Sequence, residues 1–446
     1  MNDLLIFNTD TGSYLFLVNG SQVFQIDRDL ADEFQHAFEA NHDAGVTALM
    51  ESYGLQSPPH IQGGVSENYP VHALSLAIAQ KCNLGCSYCY AEGGDFGGPA
   101  KNMSEEIARQ SVERLIAGAT PGSRLNLAFM GGEPLANRRV LRATTEYASQ
   151  LAARRNLQLG FSVTTNGTLI TPDDGVFFEA YGFAVTVSFD GLGADHDRLR
   201  PFRSGKGTFD HIIKRITPLL RTQKHMQVST RVTVTPLNLG LTEKLQKLVD
   251  LGFHSVGFSP LLSAPNARNE IHGDSLDEML KQMIACGRLF EQHLQQGLRF
   301  PFANMVNALR EIHSGTHRPY PCGAGAGYLG VSADGELAAC HRFVGNADGA
   351  MGTISVGIDR EARTRWLSER NVAHQIPCNR CWARYLCGGG CHHEVLTKGR
   401  GACDYIRGWL RYCLEAYARL IDACPSYFTP EERAHAYDET TDKANR

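Results

Sequence analysis

The sequence predicts an α/β protein with a partial (βα)6 barrel, a small β-rich module before it and a cysteine-rich domain after it. Three observations predict this architecture: short β-rich runs near the start, a strand–helix alternation through the middle, and cysteines crowded near the end. The chain has 446 residues, a length typical of two or three domains. We place the parts at residues 1–70, 71–317 and 318–428, followed by a polar tail over 429–446.

The composition is that of an ordinary globular protein. Apolar residues make up 43% and charged residues 20% of the chain, which excludes a disordered chain, a fibre or a coiled coil. The net charge of −4 indicates no general attraction to nucleic acid. No apolar run reaches the roughly 18 residues of a transmembrane helix, and Met1–Asp10 lacks the basic region of a signal peptide. We therefore expect a cytoplasmic protein without nucleic-acid or membrane partners.

Three β-rich runs open the chain at Leu4–Phe7, Tyr14–Val18 and Val23–Ile26, separated by turns that contain Asp, Asn and Gly. One helical pattern follows from Leu30 to Tyr53, and the Pro- and Gly-containing stretch Ser57–Tyr69 predicts a linker. No catalytic residue types are grouped in this module. It has the size to recognise a peptide by adding it to an exposed strand edge, and a lid that only covers the barrel is the alternative.

Six runs of strand length alternate with amphipathic stretches in the middle of the chain. The predicted strands are Ala73–Ala79, Leu125–Met130, Gly160–Thr165, Ala184–Ser188, Val228–Thr235 and Ser255–Phe258. The helical stretches include Ser104–Ala117, Asn137–Arg155, Phe209–Gln223 and Leu241–Leu251. Six βα repeats favour a parallel sheet curved into a partial TIM-like barrel, in which the chemistry lies at the carboxyl ends of the strands.

The 13 cysteines are too scattered for a small disulfide scaffold, and dense thiols in an intracellular protein indicate metal ligands or catalysts. Cys82, Cys86 and Cys89 form a Cys-x3-Cys-x2-Cys loop directly after the first barrel strand. Three thiolates on one loop can bind three irons of a cubane cluster and leave the fourth iron open to a ligand. Structural cysteines, or part of a zinc knuckle with a fourth ligand nearby, are the alternatives.

Glycine and polar motifs follow the next strands. They are Gly131, Gly132, Glu133 and Pro134 after the second strand, Thr165 and Asn166 at the end of the third, Ser188 at the end of the fourth, and Arg200 beyond it. The carboxyl ends of parallel strands meet at one edge of a sheet, so we expect these residues to lie near the cysteine loop. The alternatives are an ordinary glycine turn and, for Arg200, a surface salt bridge.

The cysteine loop and these motifs together resemble the radical S-adenosylmethionine superfamily, over about Leu74 to Ser259. The resemblance implies a 4Fe–4S cluster on the three cysteines of the loop, whose open iron takes the amino and carboxylate groups of S-adenosylmethionine. One electron then cleaves this cofactor to methionine and a 5′-deoxyadenosyl radical, and the protein binds and orients the reactants.

The resemblance also implies contacts to S-adenosylmethionine. Glu133 and the adjoining backbone are expected to receive the methionine ammonium group, and Arg200 to pair with its carboxylate through a planar guanidinium. Polar contacts are implied for Thr165, Asn166 and Ser188. Tyr88, between two of the cysteines, is expected to pack on the adenine, with simple core packing as the alternative.

Seven further cysteines resemble the SPASM extension of radical enzymes that modify peptides and proteins. They are Cys322, Cys340, Cys378, Cys381, Cys387, Cys391 and Cys403. The resemblance implies an iron–sulfur domain with two auxiliary 4Fe–4S clusters, one on Cys378, Cys381, Cys387 and Cys403, the other on Cys322, Cys340 and Cys391. The chain then carries three clusters, and structural zinc is the alternative.

The sequence does not assign a fourth ligand to the group formed by Cys322, Cys340 and Cys391. Some SPASM proteins have a cysteine six residues before the first of this group, where the present chain has Thr316. The open position could take a substrate thiolate or one of His317, His341 and His392.

Three stretches resemble the maturation enzymes of quinohemoprotein amine dehydrogenase: His72–Cys82, Cys340–Gly345 and Cys378–Glu394. This resemblance implies thioether links from cysteine sulfur to the side-chain methylene of Asp or Glu in a small subunit; similar enzymes make thioether or carbon–carbon rings in short peptides. Anaerobic sulfatase maturases share the layout, but their catalytic-base aspartate follows the second auxiliary cysteine, where this chain has His341. They are therefore the second interpretation.

These resemblances imply a ribosomally made peptide or small protein subunit as substrate, and an external one-electron donor such as flavodoxin or ferredoxin. No residue is assigned as the catalytic base. An iron–sulfur electron carrier without a substrate is the non-enzyme alternative, although such a carrier has no need of Ser188 or Arg200 beside an open cluster.

Overall fold

The computed structural model describes residues 3–39, 43–55 and 69–429. The predicted linker Ser57–Tyr69 and the predicted tail over 429–446 lie outside the described residues, apart from one terminal residue of each. No helix in the described ranges is both long enough and apolar enough to cross a membrane.

A separate antiparallel sheet opens the chain, with strands β1 (Leu4–Thr9), β2 (Gly12–Leu17) and β3 (Gln22–Ile26) in that order. The three strands predicted here are confirmed. The predicted helical stretch Leu30–Tyr53 contains two described helices, α1 (Arg28–Glu39) and α2 (Asp43–Ser52), and residues 40–42 between them lie outside the described residues.

The remaining elements form one larger body. Its strands are β4 (Ala73–Gln80), β5 (Lys101–Asn102), β6 (Arg124–Gly131), β7 (Gln158–Thr165), β8 (Ala184–Ser188), β9 (Gln227–Val234), β10 (Ser255–Pro260), β11 (Tyr328–Val331), β12 (Glu336–Ala338), β13 (Ala350–Thr353) and β14 (Gly357–Ile358). Its helices are α3 (Glu105–Ala117), α4 (Arg138–Arg154), α5 (Pro172–Ala180), α6 (Ala194–Leu199), α7 (Phe209–Thr222), α8 (Leu241–Asp250), α9 (Asp274–Gln295), α10 (Ala303–His313), α11 (Arg360–Arg370), α12 (Arg384–Cys387), α13 (His392–Lys398) and α14 (Cys403–Ala423).

Six parallel strands form the barrel wall in the order β10-β9-β8-β7-β6-β4, with short β5 paired antiparallel to β4. The six predicted strands and the partial barrel are confirmed. All eight residues of β4 are buried, which is expected for a parallel strand covered on both faces.

The cysteine-rich part continues the barrel sheet instead of standing apart from it. Strand β11 pairs parallel with β4, from Tyr328 beside Ala73 to Val331 beside Leu76, and β12, β13 and β14 extend the sheet antiparallel. The short strands of this part therefore share the barrel's apolar core. The domain boundary at residue 318 stays a prediction.

The first sheet is anchored to the cysteine-rich part through Arg384. This buried guanidinium donates hydrogen bonds to Asp3 and to Asn19, 2.8 Å away, and the ring of Phe16 meets the edge of Trp382. The leading module is thus held beside the loop that carries Cys381.

Packing between α9 and α14 yields the first prediction. A side-chain carbon at Gly287 would overlap the ring of Tyr412, whose hydroxyl donates to buried Glu291 at 2.5 Å. We expect Gly287→Ala to lower the free energy of unfolding by about 1–3 kcal/mol, because overpacking forces side chains from their rotamers. Denaturant unfolding measures the change. Gly118→Ala is the matched control, since nothing lies within 4 Å of a carbon added there, and equal stability of the two variants would contradict the prediction.

Candidate active site

Small polar side chains line the inner face of the barrel. Along β8, Val185 and Val187 are buried, whereas Thr186 and Ser188 on the opposite face are half-buried. The same half-burial holds for the hydroxyl residues of the neighbouring strands, which are Ser162 and Thr164 on β7 and Ser229 and Thr233 on β9. This face leaves a hollow with hydrogen-bonding walls, which we call the lumen.

The first cysteine loop leaves β4 at the carboxyl end of the barrel and is fixed from one side. Leu84 forms an antiparallel bridge with Phe202, the amide of Gly85 donates to the carbonyl of Pro201 at 2.8 Å, and Nε of Arg203 donates to the carbonyl of Cys82 at 3.0 Å. The segment just after Arg200 therefore holds the loop in place.

The three thiols of this loop, Cys82, Cys86 and Cys89, are all half-buried. Burial raises the pKa of Cys86 to about 11, so without a metal this thiol is protonated at neutral pH. Metal binding must then displace the proton, as it does in metal–thiolate sites generally.

Glycines allow the second-strand motif to approach the cysteine loop. A side-chain carbon at Gly94 would lie 2.7 Å from Cβ of Cys82, and one at Gly132 would lie 2.9 Å from Cα of Gly94. Gly131 has a φ of +137°, and the space beside it is filled by the backbone of Ala79. Gly131 and Gly132 thus bring the backbone directly against the cysteine loop.

Glu133 is buried and ties two strand ends together. Its carboxylate accepts hydrogen bonds from Oγ1 of Thr165 at 2.8 Å, the amide of Asn166 at 2.8 Å and the amide of Leu135 at 3.0 Å. Burial raises the pKa of Glu133, opposed by these donors. Pro134 begins the short 3₁₀ turn that follows.

Asn166 joins this network to the cysteines. Its side-chain amide donates to Oδ1 of Asn83 at 3.0 Å and lies 3.6 Å from Sγ of Cys82. The motifs after the second and third strands thus converge on the cysteine loop, as the strand order predicted.

Arg200 is enclosed at the same edge, with only 13% of its side chain exposed. Its guanidinium donates to the hydroxyl of Tyr88 and lies 3.4 Å from the carboxylate of buried Asp190, which also accepts from Tyr88. Within the described residues its Nε–H has no hydrogen-bond partner. A buried guanidinium with a free donor suits a carboxylate ligand, because Arg binds carboxylates through two parallel hydrogen bonds.

A histidine that sequence reasoning missed positions Arg200. The amide of Asp190 donates to Nδ1 of His196, so Nε2–H donates to Thr208 Oγ1 at 3.1 Å, and that hydroxyl donates to the carbonyl of Arg200 at 2.6 Å. Burial, with a contribution from Arg200, lowers the pKa of His196 to about 3, so its ring is neutral. A lone His on a short helix gives no sequence signal for this role.

The cysteines Cys378, Cys381, Cys387 and Cys403 line one cavity of about 250 Å³, and Cys391 lines it as well. Burial raises the pKa of Cys378 to about 11, and Cys381, Cys387 and Cys403 lie near enough to raise it further. Gly388, Gly389 and Gly390 all have φ between +70° and +97°, which lets the chain turn sharply beside Cys387. The donor set is that of a four-thiolate iron–sulfur site.

The other three cysteines form a second group. Burial raises the pKa of Cys340 to about 12, with contributions from Cys322 and Cys391. Nη1 of Arg342 lies 3.7 Å from Sγ of Cys391 and 2.8 Å from the carboxylate of Glu394. The assignment of these cysteines to two separate clusters stays a prediction, and Cys391 also lines the cavity beside the first group.

The three candidate histidines occupy different environments near this group. Nδ1 of His341 lies 2.9 Å from the hydroxyl of Tyr328, and the ring of His317 lies on Tyr385. His392 is buried against Trp366. Within the described ranges, no three His, Cys, Asp or Glu side chains are gathered as a single metal ion needs. A cubane binds each thiolate to a different iron, so its ligands are spread more widely than those of zinc.

The first cysteine loop and the segment after Cys340 approach each other at Tyr90. This residue follows Cys89, its ring lies 5.8 Å from that of His341, and the guanidinium of Arg342 lies over it at 5.5 Å. One aromatic side chain thus joins the first cysteine loop to the residues that follow Cys340.

Residues 76–236 match the family model of the Radical SAM superfamily. The chain therefore contains a radical SAM domain, which implies one 4Fe–4S cluster and S-adenosylmethionine as cofactors.

Relatives extend the similarity beyond that domain. A serine-type anaerobic sulfatase-maturating enzyme of Klebsiella aerogenes is 27% identical, covering 79% of this chain and 86% of its own length. A cysteine-type enzyme of Clostridium novyi is 26% identical, covering 72% and 88%. The radical SAM cyclopropyl synthase TigE of Paramaledivibacter caminithermalis is 23% identical, covering 77% and 74%. The chain thus contains a radical SAM domain and is similar over most of its length to anaerobic sulfatase-maturating enzymes.

Solved structures agree on the fold. The structure of anSMEcpe with bound AdoMet has a TM-score of 0.66 at 22% identity, covering 83% of this chain and 98% of its own. The structure of Streptococcus suis SuiB bound to its precursor peptide SuiA has a TM-score of 0.53 at 14% identity, covering 89% and 96%. The finer resemblance to quinohemoprotein amine dehydrogenase maturases stays a prediction.

The second prediction concerns Arg200. We expect Arg200→Lys to bind S-adenosylmethionine more weakly by about 2 kcal/mol or more, roughly 30-fold, because an ammonium cannot form the paired hydrogen bonds. Equilibrium dialysis measures the affinity, and iron analysis should show an unchanged cluster content. Arg198→Lys is the matched control, because Arg198 lies on the short helix that ends just before Arg200 and half of its side chain is exposed. Equal affinities of both variants and the parent would remove Arg200 from the cofactor site.

Proposed function

We propose that this radical SAM enzyme modifies a ribosomally made peptide or small protein subunit and forms thioether links from cysteine sulfur to carbon within it. The observation that carries the proposal is the contact of Tyr90 with His341 and Arg342, because it brings the three-cysteine loop close to the residues that follow Cys340. A polypeptide segment in the lumen would then lie between the two cysteine systems.

The proposed cofactors are three 4Fe–4S clusters and S-adenosylmethionine. Cys82, Cys86 and Cys89 would hold the first cluster, and the two later groups would hold one auxiliary cluster each. When bound, the first cluster supplies the electron that cleaves S-adenosylmethionine to methionine and a 5′-deoxyadenosyl radical. An external flavodoxin or ferredoxin is the proposed electron donor.

The chain's own residues bind and orient the cofactor. The free Nε–H of Arg200 supports pairing with the methionine carboxylate. Glu133 already accepts three hydrogen bonds, so we assign it to fixing the loop whose backbone faces the ammonium group. Ser188, Thr165 and Asn166 stand as polar contacts. Tyr88 would act by holding Arg200, and its packing on the adenine stays a prediction.

The three-cysteine group supports sulfur chemistry. It has one thiolate fewer than the four-cysteine group, so one ligand position is left for another residue or for a substrate thiolate. Thiolates are natural ligands of iron–sulfur clusters, and a bound thiolate is held ready for bond formation.

Formylglycine formation in a sulfatase is the second candidate, favoured by the serine-type and cysteine-type relatives. His341 follows Cys340 in this chain, and burial lowers its pKa to about 4, with contributions from Arg342 and Arg231. A neutral imidazole can still accept a proton, so this residue does not separate the two candidates.

The leading sheet offers a place for the substrate to dock. Strand β3 is an edge strand with several exposed residues, and a peptide could add to it by backbone hydrogen bonds. We propose the module over residues 1–70 as the recognition element, with a lid over the barrel as the alternative.

The third prediction tests the radical chemistry. Replacing Cys82, Cys86 and Cys89 by Ala should leave about eight of about twelve irons per chain and abolish formation of 5′-deoxyadenosine, because only the auxiliary groups keep their thiolates. Iron analysis and chromatography of the reduced, reconstituted protein measure both. Cys286→Ala is the control, as this buried thiol lies on α9 outside the three groups. Parent protein that forms no 5′-deoxyadenosine would favour an electron carrier.

The fourth prediction separates the candidate products. Each thioether should remove two hydrogens, about 2 Da, from the substrate and protect one cysteine from alkylation, because the sulfur is no longer a thiol. Mass spectrometry of the polypeptide encoded beside the enzyme, before and after turnover and alkylation, provides the measurement. A modified product in which every remaining cysteine is alkylated would instead indicate a carbon–carbon link or formylglycine.

A further inference from the structure

Arg231 is a charged side chain inside the barrel. It lies on β9 between Thr230 and Val232, which are buried on the opposite face, and it pairs in register with Ser188 on β8. Because side chains alternate along a strand, Arg231 faces the lumen together with Ser188. Its guanidinium is accessible to water there, yet burial lowers its pKa, as expected for a cation that lines an internal hollow.

No protein group within the described residues neutralises this cation by direct contact. No hydrogen bond or ion pair to its guanidinium is found there, although Glu394 and Cys391 lie near enough to act on its charge. Glu394 already forms an ion pair with Arg342 at 2.8 Å. Two further carboxylates at this edge of the barrel are also engaged. Asp190 is held by Arg200 and Tyr88, and Glu133 accepts three hydrogen bonds.

The charge count at the lumen wall is therefore uneven. Arg231 and Arg342 both lie near a single carboxylate, that of Glu394, which forms its ion pair with Arg342. Nη1 of Arg342 also lies 3.7 Å from Sγ of Cys391. Arg231 is exposed to the water of the lumen and is therefore free to bind, and a ligand anion that reaches it gains a charge-assisted hydrogen bond. The position is level with Ser188, at the end of the strands where the substrate of the proposed reaction would lie.

We propose that Arg231 binds the side-chain carboxylate of an Asp or Glu residue of the polypeptide substrate, and that this contact selects substrates with an acidic residue at a fixed distance from the modified cysteine. The inference rests on the peptide-modifying function proposed above and narrows its substrate class. The other sources of a carboxylate in the lumen are the methionine part of S-adenosylmethionine and a peptide C-terminus, and the test separates all three.

The test uses the reconstituted holoenzyme with S-adenosylmethionine and a displayed library of random 12-residue peptides. Each peptide contains one fixed cysteine and is joined through its C-terminus, so it offers no free C-terminal carboxylate. The parent should enrich Asp and Glu at one spacing from the cysteine by about tenfold or more, as expected for a charge pair shielded from solvent. Arg231→Gln should lose this enrichment, Arg231→Lys should keep part of it, and Arg231→Glu should enrich Lys and Arg at that position.

Arg221→Gln is the matched control, because it removes the same charge from an exposed position on α7 and should select as the parent does. Iron content of each variant reports its folding, and Arg231→Lys keeps the proposal testable if the neutral variant does not load its clusters. Equal acidic enrichment by parent and Arg231→Gln, or no enrichment by the parent, would overturn the inference.

A measurement of S-adenosylmethionine affinity tests whether Arg231 binds the cofactor's carboxylate instead. Loss of S-adenosylmethionine affinity in Arg231→Gln, with peptide selection unchanged, would assign Arg231 to the cofactor and also overturn the inference. If the parent holoenzyme forms no 5′-deoxyadenosine, the proposed function itself is contradicted. If the parent forms 5′-deoxyadenosine but enriches no acidic residue, only the inference about Arg231 is contradicted.

Discussion

The candidate site depends on the pairing of β4 with strands from two parts of the chain. On one side β4 pairs with β6 and so brings Gly132 against Lys81, at the start of the cysteine loop. On the other side β4 pairs with β11, which leads through a hairpin to Cys340. Parallel pairing fixes the register of both neighbours against the same eight buried residues. The relative position of the first cysteine loop and of Cys340 is thus set by backbone hydrogen bonds and burial.

Buried charge organises the mouth of the barrel in a second layer. Asp190 neutralises Arg200, and Glu394 neutralises Arg342, each within a hydrogen-bonded network. Removing one partner from such a network leaves an uncompensated charge, which makes these pairs strong constraints on geometry. Arg231 departs from this pattern within the described residues, and it does so on the wall that faces the lumen.

Patterns that are local in the chain predicted the fold well. The six barrel strands follow from apolar runs of strand length. The assignment of the later cysteines to two clusters came from the SPASM resemblance and stays a prediction. The roles of His196 and Arg231 did not follow from the sequence, because each depends on which residues lie opposite it in the folded chain.

Arg384 has a consequence for how the protein assembles. It lies between Cys381 and Cys387 in the chain, and the same guanidinium holds Asp3 and Asn19 of the leading sheet. Docking of the leading sheet and ordering of this cysteine loop therefore both fix the side chain of Arg384. Once one of them has occurred, the other loses less conformational entropy. The coupling is reciprocal: metal bound at this loop would hold the leading sheet more firmly, and a docked sheet would raise the affinity of the loop for metal.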